Sequence, residues 1–224
     1  MNRVPKECFD FLKALKRNNN KDWMDANRAQ YKRNEAALKA FYQDITDGLN
    51  ANDVIERTKV FRINRDIRFS KDKTPYNVHR SVSFSREGAH RRGGYYLRIE
   101  PGASAMAGGF WGPEPADLLR IRKEFEFDAE PIRKILAEPK FKEAFGGLNT
   151  EYQVKTAPKG FSKDHRNIDL IKNKAFFVMH PFTDKEVLAP DFGEKVLYHF
   201  ELLRPYFDYM SEVLTTDLNG ESLL

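Results

Sequence analysis

The residues best suited to chemistry in this 224-residue chain lie in one run, Arg62-x-x-Arg65-Asp66-x-Arg68-Phe69-Ser70-Lys71-Asp72-Lys73-x-Pro75-Tyr76. An arginine offers a planar fork of donors that grips a carboxylate or phosphate through two bonds, and it keeps its charge at any physiological pH. Arg62, Arg65 and Arg68 could therefore capture an anion. Lys71 and Lys73 would add point charges, and Asp66 would fix one guanidinium as an internal counter-ion. In an extended strand Arg62 and Arg68 share a face and Arg65 opposes them, so convergence requires the chain to turn near Asn64 to Asp66. Tyr76 and His79 complete the candidate ligand-binding set on this side. The same residues would equally serve a salt-bridge network that ties a long loop to the rest of the protein.

Two further constellations carry possible chemistry. Gly108-Gly109-Phe110-Trp111-Gly112-Pro113 places paired glycines at a strand end, where another backbone or a ligand can approach closely, and Trp111 could wall a pocket or fill a core. Pro158-Lys159-Gly160-Phe161 is followed by Asp164-His165, which makes Lys159 a candidate anion contact and His165 the candidate catalytic residue, a general acid or base oriented by its aspartate. A lone histidine there suits a structural hydrogen bond as well. Phosphate-loop, dinucleotide, zinc-protease and serine-elbow motifs do not occur, so no metal and no cofactor is expected.

Charge and pattern place these residues on elements. Between Arg57 and Arg98 twelve basic residues face three acidic ones, a local net of +9, while the whole chain carries +5 and the remainder therefore −4. Such asymmetry points to an anionic partner, a small ligand or nucleic acid. The charge from Arg80 to Arg98 is expected on solvated strand surface, which leaves Arg62 to Tyr76 as the motif proper.

Cys8, Phe11, Leu12 and Leu15 predict an amphipathic helix from about Pro5 to the Asn18-Asn19-Asn20 run. A second, long helix follows from an Asn20 cap to about Leu49. Alternation then predicts strands at Lys59–Ile63, Val78–Phe84, Tyr95–Ile99 and Ser104–Phe110, an antiparallel meander in which Asn64–Asn77 is a long ordered loop. Three helices are expected around Leu118–Ile121, Ile132–Leu136 (capped by Asp128) and Phe141–Phe145. A short strand at Tyr152–Lys155, a helix at Asp164–Lys172 and a strand at Ala175–His180 stopped by Pro181 come next. The last helix runs from Phe192 to Met210 with a kink at Pro205. The expected fold is α+β, an antiparallel sheet of four or more strands packed by a long N-terminal and a C-terminal helix, forming a single domain over residues 1–224.

A lone cysteine excludes an internal disulfide, and neither an apolar run of about 18 residues nor a charged-then-apolar start is present, so a cytoplasmic protein without a membrane span is expected. Nothing in the pattern specifies an oligomeric state.

Four segments together resemble a known bacterial and fungal family, domain of unknown function 2461. They are F-L-x-x-L-x-x-N-N-x-K-x-W from Phe11 to Trp23, the arginine motif from Arg62 to Tyr76, P-G-x-S-x-x-x-G-G-x-W-x-P from Pro101 to Pro113, and P-K-G-F-x-x-D-H from Pro158 to His165. The resemblance spans most of the chain and implies a compact α+β domain, without implying an activity. Two positions depart from the pattern: Arg166, where a proline often follows the D-H pair, and Asn77, where a lysine often follows P-Y. Three readings follow: a binder or enzyme for a small phosphorylated or carboxylated ligand, a nucleic-acid module stacking bases on Tyr76, Tyr95, Tyr96 or Trp111, and a structural or adaptor protein.

Overall fold

The structure, a computed structural model, describes residues 1–217 and 220–224. Those residues form an α+β fold of ten helices and one five-stranded antiparallel sheet. In chain order the elements are α1 (Lys6–Arg17), α2 (Lys21–Ala26), α3 (Arg28–Leu49), β1 (Ile55–Val60), β2 (Arg80–Arg86), β3 (Gly94–Ile99), β4 (Ser104–Phe110), α4 (Pro115–Phe127), α5 (Glu130–Ala137), α6 (Pro139–Phe145), α7 (Ile168–Ile171), β5 (Phe176–Phe182), α8 (Asp184–Val187), α9 (Phe192–Leu202) and α10 (Arg204–Thr215). The strands lie side by side in chain order, β1-β2-β3-β4-β5. Two compact units are distinguished. One comprises Met1–Phe84, Tyr96–Met106 and Pro181–Tyr198; the other comprises Ser85–Tyr95, Ala107–His180 and His199–Leu224. No helix among the described residues is long and apolar enough to cross a membrane.

In the first unit, α1 buries the predicted face, Cys8, Phe11, Leu12 and Leu15, together with Phe9. Asn20 caps α2 by accepting from the Trp23 N–H at 2.9 Å. The long helix expected from there to Leu49 is two helices, because Asn27 leaves helical geometry (φ −106°, ψ 13°) and its side-chain amide donates to the Trp23 carbonyl at 2.8 Å. Asparagine competes locally for backbone partners, and here that competition ends α2. Helix α3 turns Leu38, Phe41, Tyr42, Ile45 and Leu49 inward, and its Thr46 hydroxyl lies 2.8 Å from that of Thr58 in β1.

Strand β1 ends at Val60, earlier than expected. The apolar Ile63 leaves the sheet to join a core of Phe11, Leu12, Leu15, Met24 and Tyr76. Alternating apolar residues look the same whether they pair in a sheet or seal a loop. Strand β2 runs to Arg86 because its buried face continues past Phe84, with Arg80 and Arg86 at its two ends. These arginines are not solvated. Arg80 forks onto Glu35, with its Nη2 donating at 2.8 Å, and the two side chains are only 5% and 16% exposed. Arg98 donates to the Ala103 carbonyl and pairs with Glu100 at 3.4 Å.

In the second unit, Arg86 donates to the Arg92 carbonyl at 2.9 Å, and Arg92 pairs with Asp117. Helix α10 packs Phe207 edge-on to Tyr95 and Phe110 at 4.9 and 6.0 Å. The two glycines of β4 are required by close approach: a Cβ on Gly108 would sit 2.1 Å from Leu203 Cδ1, and one on Gly109, where φ is +142°, would sit 2.3 Å from the Phe176 carbonyl oxygen. Pro205 lies in the first turn of α10 and Leu203 precedes it, so the expected kink is a break between two helices. Asp128 accepts from the Glu130 N–H at 2.8 Å, at the foot of α5. The strand expected at Tyr152–Lys155 is a single bridge from Gln153 to Asn173, and only Ile168–Ile171 of the Asp164–Lys172 segment is helical. Only the apolar end of the second segment, where Leu170 and Ile171 are buried, sustains a helical turn.

Strand β5 does not stop at Pro181 but passes through it to Phe182. It is the last strand of the sheet, and an outward-facing edge position needs no backbone donor.

Candidate functional site

The loop that carries the arginine motif is closed at its base like a hairpin. Asn64 bridges Tyr76, the Arg65 N–H donates to the Pro75 carbonyl at 2.9 Å, and the Asn77 N–H donates to the Ile63 carbonyl at 2.7 Å. Asn19, between α1 and α2, clamps the closing residue from outside: its side-chain amide donates to the Tyr76 carbonyl at 2.8 Å and its amide oxygen accepts from the Tyr76 N–H at 3.1 Å. The Tyr76 ring is therefore part of the core and only 7% exposed, which removes it from the contacts expected of a ligand site.

The turn that convergence requires does form, and it brings two of the three arginines to one place. Arg62 and Arg65 line a cleft of about 410 Å³, together with Asp66 and His79. Its walls come from β2, β3 and the chain just beyond β1. The Phe61 N–H still pairs with the Ser81 carbonyl at 2.9 Å, and Tyr96 stands in β3 beyond it. Side chains alternate across a strand. Since Val82, Phe84, Leu97 and Ile99 are wholly buried on one face of the sheet, Ser81 and Tyr96 must face the other way. The Phe61 and Tyr96 rings stand 6.2 Å apart at 68°, and Asn64, Asn77 and Ser81 supply neutral polar groups.

The cations divide by how their donors are used. Arg65 is a brace: its Nη1 donates to Asp72 at 2.6 Å, to the Thr74 carbonyl at 2.9 Å and to the Thr74 hydroxyl, while Nη2 reaches Ser70 at 3.4 Å. The Thr74 N–H and hydroxyl, with Arg65, hold the Asp72 carboxyl below its ordinary pKa. Arg68 forks onto Asp66 at 3.0 and 2.6 Å, outside the cleft lining, and depresses that carboxyl as well. Lys73 donates to the Ile67 carbonyl at 2.9 Å. Lys71 is exposed and does not line the cleft, and Phe69 stands 95% exposed at the tip. Arg62 differs from its neighbours. Arg62 lines the cleft, and its side chain makes no hydrogen bond or ion pair to another described residue, although its charge helps to depress the Asp66 carboxyl.

His79 Nδ1 lies 4.0 Å from a Glu100 carboxylate oxygen that Arg98 also approaches at 3.4 Å. Burial pushes the imidazole pKa below its ordinary value, Arg98 and Arg80 add to that, and Glu100 opposes it. A largely neutral imidazole can both donate and accept at the cleft.

The remaining sequence candidates belong to the other unit and do not line this cleft. Lys159 is exposed. His165 Nδ1 accepts from the Asn167 N–H at 3.2 Å, just ahead of α7. Trp111 is 63% exposed and packs against Tyr152 and Phe177 at 4.6 and 4.7 Å. Among the described residues, no three histidine, cysteine or carboxylate side chains gather to hold a metal ion. Phe61, Asn64 and Ser81 were outside the sequence candidates because they match no motif. The pattern that marks Ser81 is its position one residue before buried Val82 on an alternating strand.

The sheet and cleft define an α+β protein with a polar, aromatic-walled recess beside an arginine-rich loop. The chain belongs to the family described as Conserved hypothetical protein (DUF2461), which matches residues 7–209 and so takes in both the loop and the strands that wall the cleft. No curated protein and no solved structure matches it.

Proposed function

We propose that this is a cytoplasmic protein that binds a small phosphorylated or carboxylated ligand in the cleft, with Arg62 as the anchoring cation. The observation that carries this reading is Arg62, a lining residue of the recess whose side chain makes no hydrogen bond or ion pair to a described residue. The charged lining residues beside it, Arg65 and Asp66, are engaged within the loop, and the rest of the lining is polar and aromatic. A recess of about 410 Å³ is the size of a small-molecule site. Arg65, whose donors are spent within the loop, serves to hold the loop's shape, and Asp66 is neutralised by Arg68. His79 and the two asparagines would fix the orientation of the ligand.

Calorimetric titration with phosphate, sugar phosphates, nucleotides and dicarboxylates tests the proposal. A charge-assisted contact contributes roughly 1.5–3 kcal/mol, so Arg62→Ala should weaken the best ligand by about tenfold or more. Lys71→Ala, at an exposed residue outside the lining, should leave its affinity unchanged. Equal binding by wild type and Arg62→Ala, or no binding across the panel, removes the proposal.

A further inference from the structure

We infer that the ligand of this cleft is a nucleotide unit, its base lying in the corner made by Phe61 and Tyr96 and its phosphate on Arg62. This rests on the anion-binding reading and narrows it. A phosphate or a dicarboxylate alone has no use for two aromatic walls. The rings stand at 68° and 6.2 Å, an L-shaped corner in which a flat heterocycle stacks on one ring and meets the other along its edge. Both side chains are only half-buried, so each offers apolar surface to a ligand. Stacking of this kind tolerates any base, because every base has a π-face.

The polar groups of the cleft match the edges of a base rather than a second anion. Asn64 and Asn77 each carry a donor and an acceptor on one amide, the pairing that reads adjacent ring and exocyclic nitrogens of a base. The Ser81 hydroxyl and the His79 imidazole can also act in either sense. The one carboxylate of the lining, Asp66, is forked by Arg68 and does not confront the phosphate as a bare charge.

A row of cations leads away from the corner. Arg57 and Lys59 precede Phe61 at alternate positions, hence on one face of β1 and spaced about 7 Å apart. The Lys59 ammonium lies 5.0 Å from the centre of the Phe61 ring. Both side chains are exposed, and no described carboxylate pairs with either. A free nucleotide would use Arg62 alone; a nucleotide within a single strand would also place neighbouring phosphates on Arg57 and Lys59.

The test compares ribose 5-phosphate, the four ribonucleoside 5′-monophosphates and eight-residue single-stranded oligonucleotides, by calorimetry and fluorescence anisotropy. We expect at least one monophosphate to bind about tenfold or more tightly than ribose 5-phosphate. Tyr96→Leu should lower nucleotide affinity by about tenfold and leave ribose 5-phosphate unchanged, while Tyr96→Phe, which keeps the ring, retains affinity. Arg62→Ala should weaken both. Tighter oligonucleotide binding that falls with added salt and with Arg57→Glu/Lys59→Glu identifies a single strand as the source; equal binding of monomer and oligomer identifies the free nucleotide. If ribose 5-phosphate binds as tightly as the nucleotides, or Tyr96→Leu changes nothing, the nucleotide assignment falls and anion binding stands. Failure of every phosphate to bind overturns the nucleotide assignment, and anion binding falls with it if the dicarboxylates also fail to bind.

Discussion

Arg80 and Glu35 show how far the chemistry of single residues can be read in advance. Their charges are plain in the sequence, yet their partnership joins positions 45 residues apart and leaves no local pattern. Arg80 therefore looks like solvated strand surface until α3 is laid over β2. Once buried, the guanidinium depends on its partner, because removing one member of a buried pair strands the other's charge. Glu35→Ala should cost about 3 kcal/mol in urea denaturation, and adding Arg80→Met should recover most of that loss. The same limit applies to the cleft. Arg62, Arg65 and Arg68 are equivalent as letters, and only the positions of Asp66, Asp72 and Thr74 in space leave Arg62 as the one with its donors unspent. Asn19 illustrates the reverse: it reads as a helix stop, and it also supplies both bonds that hold Tyr76 in place.

The arginine loop is an element whose order depends on protonation. Hydrogen bonds from Thr74 and Arg65 depress the pKa of Asp72, and those from Arg68 depress that of Asp66. A carboxyl with a depressed folded-state pKa contributes stability that is fully present above its unfolded value, near 3.9, and is lost as pH falls through the folded value. We expect the amide resonance of Thr74, which donates to Asp72 at 2.9 Å, to titrate with a midpoint below 3.9, and Asp72→Asn to abolish that titration. A midpoint at or above that value would show that the brace does not form. At this scale helices were the most legible part, since α1 and the inward face of α3 follow a 3.6-residue period that burial alone imposes. Where the reading slipped, a local competitor decided the outcome: Asn27 ended a helix, Ile63 chose a loop core over a strand, and Pro181 was accepted at an edge.

For the molecule as a whole, α+β class and the β1 to β4 meander follow from strand patterns arriving in succession without intervening helices, and β5 joins the same sheet only after four helices. The single cysteine offers a reporter of global unfolding. Cys8 is 1% exposed, and burial, with smaller contributions from Glu7 and Glu35, raises its thiol pKa to about 12. Disulfide exchange needs the thiolate and access to it. Under native conditions Ellman's reagent should label Cys8 at least a thousandfold more slowly than in denaturant, at a rate that tracks the unfolded population. Labelling at the denatured rate without denaturant would mean that α1 detaches on its own. The two ends of the sheet bear on how this protein behaves at high concentration. An open strand edge invites a second copy to add on and grow into fibrous aggregate. Here β5 presents Pro181, which has no N–H to offer an incoming chain, and β1 presents Arg57 and Lys59, which repel their own counterparts. Replacing proline or cations at these edges would thus endanger colloidal behaviour before it affected folding.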